Sequence, residues 1–249
     1  MDKHLTEQPG YPDLADAGHV LAPDDPALAE LSLPPAEAST RWVLRREAGE
    51  LVVGNAQSPR QRPLRIDFFS AEMRRRVSAG RQQPLAKACG LHKHPGAYIV
   101  DATAGLGRDA WCLASLGACM DWYERHPLIH ALLRDALARA TGETAARIRL
   151  RHDDGRSLQA ATADAIFLDP MFPDSGRRAA PALEMQIMQS LVGPDADAQQ
   201  LWQRAMDSGA RRVVLKRPPR GAKVRLAKPD LSFGGGRVVY DVYLRPPAR

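Results

Sequence analysis

Cysteine is scarce in this chain. Its three cysteines, Cys89, Cys112 and Cys119, form no CxxC pair and no metal-ligand spacing. That speaks against a disulfide framework or a zinc module and fits a reducing, cytoplasmic setting. Long apolar runs are also missing: none approaches the roughly 20 residues of a membrane span, so no membrane association is expected. The start, Met1-Asp2-Lys3-His4, lacks a basic segment followed by an apolar one, and no secretory signal is expected. His92 and His94 have no further ligand at metal spacing, so no metal is expected. Acid is in short supply locally. Residues 211–228 hold eight Lys/Arg and no acid, and residues 60–93 hold nine against two. Residues 1–37 run the other way, with eight acids and one Lys, so that a net charge of +6 leaves the remainder near +13. Two basic blocks far apart in sequence predict one face for a polyanion.

With 249 residues and 44% apolar content, the chain can build one α/β domain and a smaller element. Residues 1–18 read as a flexible leader rich in Pro, Gly and Asp. A small β-rich subdomain is expected over 19–70. It contains a short strand at His19-Val-Leu, a helix over Asp24–Leu31, hairpin strands at Arg41–Arg45 and Leu51–Val53, and a third strand at Leu64–Phe69. Residues 71–97 read as a basic connection. From residue 98 short apolar strands alternate with helices. Strands are expected at 98–101, 119–124, 147–152, 165–168, 212–215 and 238–244. Helices are expected at 106–116, 127–139, 181–191 and 195–208. Such alternation predicts a mostly parallel sheet with helices on both faces, over 98–249.

Asp101 ends an apolar strand and is followed by Ala104-Gly105-Leu-Gly107 and then a helix. Glycines let the backbone turn tightly and approach a ligand. The helix start supplies free N–H groups and partial positive charge. This turn suits either a dinucleotide or the amino-acid end of S-adenosylmethionine. Glu124, at the end of the second strand, can accept from ribose hydroxyls of either cofactor. Asp109 is placed to hold an ammonium and Arg108 a carboxylate. Asp153 and Asp154 follow the third strand; either can receive an adenine amine, and Asp154 is favoured.

Leu168-Asp169-Pro170-Met171-Phe172-Pro173 separates the two cofactors. It sits at the carboxyl end of a strand, where open α/β sheets bind ligands. It resembles the Asp/Asn-Pro-Pro-Tyr/Phe motif of amino-methylating enzymes, with Met171 in place of the second Pro. An exocyclic amine conjugated with a base is a poor nucleophile. Asp169 and the Pro170 carbonyl can accept its two protons and aim its nitrogen at a methyl group. Phe172 is suited to stack on the base.

Several segments occur together: Leu64-Arg-Ile-Asp-Phe, Gln83-Pro-Leu-Ala-Lys87-Ala, Asp101-Ala-Thr-Ala-Gly-Leu-Gly-Arg-Asp109, Glu124-Arg-His-Pro127, Leu168-Asp-Pro-Met-Phe-Pro173, Val214-Leu-Lys-Arg-Pro218 and Tyr240-Asp-Val-Tyr-Leu244. In this order they closely resemble the bacterial ribosomal RNA small subunit methyltransferase J family, over roughly residues 19–246. The resemblance implies a Rossmann-like class I methyltransferase sheet, mostly parallel with an antiparallel last strand. It implies S-adenosylmethionine-dependent methylation of the N2 amine of one guanosine in 16S rRNA of the small ribosomal subunit. Carried over, cofactor contacts fall on Arg108, Asp109, Glu124, Arg125, the region of Asp154, and Asp169. The basic blocks gain a role as phosphate contacts at the active-site mouth: Arg74, Arg75, Arg76, Arg81 and Lys87 before the cofactor loop, and Lys216, Arg217, Arg220 and Lys223 after the strand at 212–215.

Overall fold

The strand Tyr98-Ile-Val-Asp101 is the hub of the larger sheet because its last three residues are shut off from water on both faces. Ile99, Val100 and Asp101 are all buried. A strand without a polar face belongs in the middle of a parallel sheet covered on both sides. The computed structural model describes residues 19–20, 41–171, 183–192, 197–219 and 227–245, and the element order below refers to them. The expected leader at 1–18, the helix at 24–31, Phe172, Arg220 and Lys223 lie outside the described residues.

The chain divides into two compact units, the first ending at Arg65 and the second beginning at Ile66. In the first, β1 (His19–Val20) pairs in parallel with β2 (Trp42–Glu47), which pairs antiparallel with β3 (Glu50–Asn55). The tight connection is supported by Ala48 and Gly49, both at positive φ. The strand expected at 64–69 is reduced to one bridge, Leu64 against Val53. The reason is local: Asp67 Oδ1 accepts from the Phe69 N–H at 2.8 Å, a side-chain turn that competes with strand pairing.

In the second unit, helices appear where the sequence read as a basic connection. Ser70 caps α1 (Ala71–Ser78) by accepting from the Met73 N–H, and Pro84 opens α2 (Pro84–Ala88). Then follow β4 (Tyr98–Asp101), α3 (Arg108–Ser115), β5 (Cys119–Tyr123), α4 (Pro127–Arg139), the short α5 (Glu143–Ala146), β6 (Ile148–Arg151) and β7 (Ala165–Leu168). The remainder is α6 (Leu183–Val192), α7 (Ala198–Asp207), β8 (Arg212–Arg217), β9 (Leu231–Gly235) and β10 (Val238–Leu244).

These strands form one seven-stranded sheet in the order β6-β5-β4-β7-β8-β10-β9. It is parallel from β6 to β8, and β10 runs antiparallel between β8 and β9. The expected mostly parallel sheet with an antiparallel last strand is therefore present. β9 was not expected. It is a glycine-containing edge strand with little burial, so it lacks the apolar pattern that marks the central strands.

Chain order reverses between β4 and β7. From β4 the chain winds one way to β5 and β6, then returns to the other side for β7 and β8. That reversal opens a crevice beyond the carboxyl ends of β4 and β7. Its floor is rigid. Trp122 and Phe167 are fully buried, and Phe68 stacks on Trp111 at 4.4 Å between ring centroids.

Close backbone contact fixes one wall. A Cβ on Gly155 would lie 2.3 Å from the Ala102 carbonyl oxygen and 3.0 Å from Leu201 Cδ1. Gly155→Ala must therefore separate the segment after β6 from the loop after β4. Urea unfolding should show a loss of about 1–3 kcal/mol, the usual cost of overpacking. An unchanged midpoint would contradict this contact.

Candidate active site

The crevice is lined by Ala102, Thr103 and Gly105 from the loop after β4 and by Tyr123, Glu124 and Arg125 from the end of β5. Asp154 and Gly155 follow β6, and Asp169 and Met171 follow β7. Met188 and Val192 of α6, with Leu201 of α7, supply apolar surface opposite them. Every strand end named here is a carboxyl end.

The loop after β4 owes its shape to two glycines. Gly105 and Gly107 have φ of 52° and 70°, a region costly for other residues. Gly107 is also hemmed in: a Cβ there would lie 2.8 Å from Leu133 Cδ2 and 3.0 Å from Trp122 Cζ3. Glu124 braces the loop from β5. Its Oε2 accepts from the Gly105 N–H at 2.9 Å, and its Oε1 accepts from the His126 N–H at 2.7 Å.

Asp101 is not on the crevice wall. It is buried, and its Oδ1 accepts from the Thr103 N–H at 2.9 Å and from the Thr103 hydroxyl at 3.5 Å. The same hydroxyl oxygen accepts from the Asp169 N–H at 2.7 Å. Thr103 thus ties the end of β4 to the start of the segment after β7. The sequence reading assigned it no role, although a Thr two residues after a strand-ending Asp is a recognisable turn signal.

Asp169 and Asp109 share a cation. Lys216 Nζ donates to Asp169 Oδ2 at 2.5 Å and to Asp109 Oδ2 at 2.8 Å. Arg76 pairs with the other oxygen of Asp109. Asp109 lies in the first turn of α3, where negative charge is favoured. Tyr240 of β10 faces Lys216 in the strand register, and burial raises its phenol above the ordinary range. Arg76 and Lys216, read as phosphate contacts, are thus engaged in ion pairs inside this cluster. Lys216 falls within β8, which runs two residues further than the sequence suggested.

The other candidates distribute as follows. Arg108 pairs with Glu184 of α6 and, at 3.8 Å, with Glu72. Arg125 donates to Asp154 at 3.3 Å and to Asp197 at 2.6 Å. Asp154 accepts further bonds from the Arg156 backbone and guanidinium. Burial pushes its carboxyl up, but Arg156 and then Arg125 outweigh that and hold it below the usual carboxylate range. Asp153 is exposed, accepts from the Asp154 N–H at 2.7 Å and is not part of the lining. Pro170 is buried beside Asp169. Arg217 is held by Asp241 at 2.5 and 3.2 Å. Arg74, Arg75 and Arg81 are exposed, Lys87 is half-buried, and none of the four has an ion pair among the described residues.

The donor set fits S-adenosylmethionine. Glu124 is an acid at a second-strand end, Asp154 an acid beyond the third, and apolar Met188, Val192 and Leu201 face them. Gly105, where a Cβ would meet nothing closer than 3.8 Å, leaves the backbone open to close approach by a ligand. No group of His, Cys, Asp or Glu that would hold a metal is found among the described residues, and no described helix is long and apolar enough to cross a membrane.

Comparison with known proteins agrees with the geometry. A family model described as "Putative SAM-dependent methyltransferase" matches residues 27–245. The ribosomal RNA small subunit methyltransferase J of Halorhodospira halophila is 39% identical, over 91% of this chain and 92% of that protein. The protein of the same name from Laribacter hongkongensis is 42% identical, over 89% of this chain and 81% of its own length. A crystal structure of a SAM-dependent methyltransferase from Neisseria gonorrhoeae superposes with a TM-score of 0.70 at 28% identity, covering 94% of this chain and 97% of that one.

Burial also makes the core of the site sensitive to pH. Loss of solvent raises the Asp101 carboxyl from 3.8 to about 7; the Thr103 backbone bond opposes this, the Asp169 charge adds to it, and Lys216 opposes it. A carboxyl raised in the folded state stabilises the fold at low pH, and that contribution is lost as pH rises through the folded value. Wild-type stability should therefore fall relative to Asp101→Asn between pH 4 and pH 7.5, by up to roughly 4 kcal/mol. Urea midpoints measured across that range test this. Parallel pH profiles for the two proteins would contradict it.

Proposed function

Because the chain belongs to the ribosomal RNA small subunit methyltransferase J family, we propose that it methylates the N2 amine of a guanosine in 16S rRNA. The observation that carries this reading is the position of Asp169. It lies at the carboxyl end of β7, on the crevice wall shared with Glu124 and Asp154, and is hydrogen-bonded to the cofactor loop through Thr103. A carboxylate there can meet an amine donor brought from one side and a methyl donor held on the other.

S-adenosylmethionine supplies an electrophilic methyl group on a sulfonium sulfur. The chain's own residues hold and orient the reactants. Glu124, held by two backbone N–H groups, is placed to accept from ribose hydroxyls. Asp154 is held ionised beside the adenine end. Asp109 is the acid nearest the helix start, where the amino-acid end of the donor would lie. Thr103 fixes the backbone of Asp169, and Lys216 fixes one carboxylate oxygen. Asp169 and the Pro170 carbonyl accept the two amine protons, which turns the nitrogen lone pair toward the methyl group. Orientation of this kind is worth up to about 7–11 kcal/mol in well-aligned systems. Asp169 then offers a site for the proton that the methylated amine releases.

The target base must be unstacked to enter the crevice. The exposed cations Arg74, Arg75 and Arg81, with Lys87, are suited to hold neighbouring phosphates. Arg220, Lys223 and Phe172 belong to the same reading, as phosphate contacts and as a stacking residue. The reading puts the enzyme with the small ribosomal subunit in the cytoplasm.

Transfer of labelled methyl to small subunits lacking the modification tests this. Asp169→Ala should reduce transfer by roughly 10²–10⁴-fold while binding of rRNA persists. Full activity in Asp169→Ala would refute its assigned role. Failure of the wild type to label any assembly state of the subunit would refute the function.

A further inference from the structure

We propose that Lys216 is a specificity residue that reads the O6 carbonyl of the target guanine, while Asp169 receives its N1–H and N2–H. This rests on the guanine-N2 reading above and extends it to the choice of base.

The placement follows from the sheet. Leu168 of β7 is paired with Leu215 of β8, so the next residues of the two parallel strands, Asp169 and Lys216, emerge side by side at the carboxyl end. Their contact at 2.5 Å follows directly. Asp109 holds the same ammonium at 2.8 Å from the helix side, and Arg76 pairs with the other oxygen of Asp109. An ammonium has three N–H donors. Two are used by Asp109 and Asp169, and the third has no partner among the described residues. Lys216 is buried only in part, with 23% of its side chain exposed, and Asp169 beside it is 37% exposed. Asp169 lines the crevice, and a partly exposed, still unsaturated cation lies beside it.

That order of groups matches one base edge. Along its pairing edge guanine offers N2–H, N1–H and then the O6 acceptor. A carboxylate followed by an ammonium supplies acceptor, acceptor and donor. Adenine and cytosine each set a ring-nitrogen lone pair next to the amine, which would face the carboxylate unpaired. A site whose polar groups are left unpaired rejects such analogues strongly. A Lys216 that only balanced the charge of Asp109 and Asp169 would show no dependence on the atom at position 6.

The test uses rRNA carrying 6-thioguanosine at the methylated position. This keeps N1–H and N2–H but replaces O6 with a weaker acceptor. Dissociation constants are measured with S-adenosylhomocysteine bound, so no turnover is needed, and kcat/KM is measured alongside. The wild type should bind the guanosine RNA roughly tenfold or more tightly than the thio RNA. In Lys216→Met that ratio should fall to within about twofold, and Lys216→Arg should restore part of it. Comparing ratios removes the effects of sulfur size, which both proteins share. If Lys216→Met melts early, Lys216→Gln replaces it; its neutral donor should give an intermediate ratio. An equal ratio in wild type and variant overturns the proposal, whatever the overall loss of affinity. So does a wild type indifferent to sulfur. Mass analysis of the wild-type product separates the two levels. N2-methylguanosine with an unchanged ratio refutes the role of Lys216 alone, whereas methylation elsewhere refutes the functional reading beneath it.

Discussion

The Thr103 hydroxyl joins the two strand ends on which this site is built. It donates toward the buried Asp101 carboxylate at the end of β4 and accepts the Asp169 N–H at the end of β7 at 2.7 Å. β4 and β7 are adjacent in the sheet but far apart in the chain, and the crevice exists because chain order reverses between them. Beyond the pairing of the strands themselves, that bond couples the loop proposed to approach the methyl donor to the carboxylate proposed to receive the amine. With it, a shift at one strand end moves the other. Near-attack geometry depends on such coupling, because small misplacements of the reacting groups are costly.

Charge is arranged around this link in two groups. Beside it, Asp109, Asp169, Lys216 and Arg76 form an alternating cluster. At the far side of the crevice, Arg125 and Arg156 bind Asp154 and Asp197. Each carboxylate assigned to a ligand is held in a network of cations or backbone N–H groups, which restrains it before anything binds. Asp101 differs: it is buried, only hydrogen-bonded to Thr103, and raised to about 7. It holds the Thr103 N–H and hydroxyl.

Much of this was legible in the sequence because the relevant signals are local. The apolar run 98–101, the glycines at 105 and 107, and the strand 165–168 ending in Asp169 each declare their structure within a few residues. Glu124 and Asp154 could be placed on the crevice wall because strand ends in this architecture fall on one edge. What was not legible depended on tertiary context. β9 is an exposed edge strand with no apolar pattern. The helix at 71–78 was hidden by three consecutive arginines, although Ser70 marks its start. Arg76 and Lys216 read as surface cations because charge counts do not reveal partners. Only folding brings Asp109, 33 residues from Arg76 and 107 from Lys216, between them.

The central claim is that one guanine amine of 16S rRNA receives a methyl group because Asp169 holds it. Mass mapping of modified nucleotides in 16S rRNA from cells with and without this protein addresses it most directly. The account predicts a single N2-methylguanosine that disappears without the protein and returns with the wild type but not with Asp169→Ala. An unchanged modification map, or a lost methyl group on any atom other than a guanine N2, would contradict it.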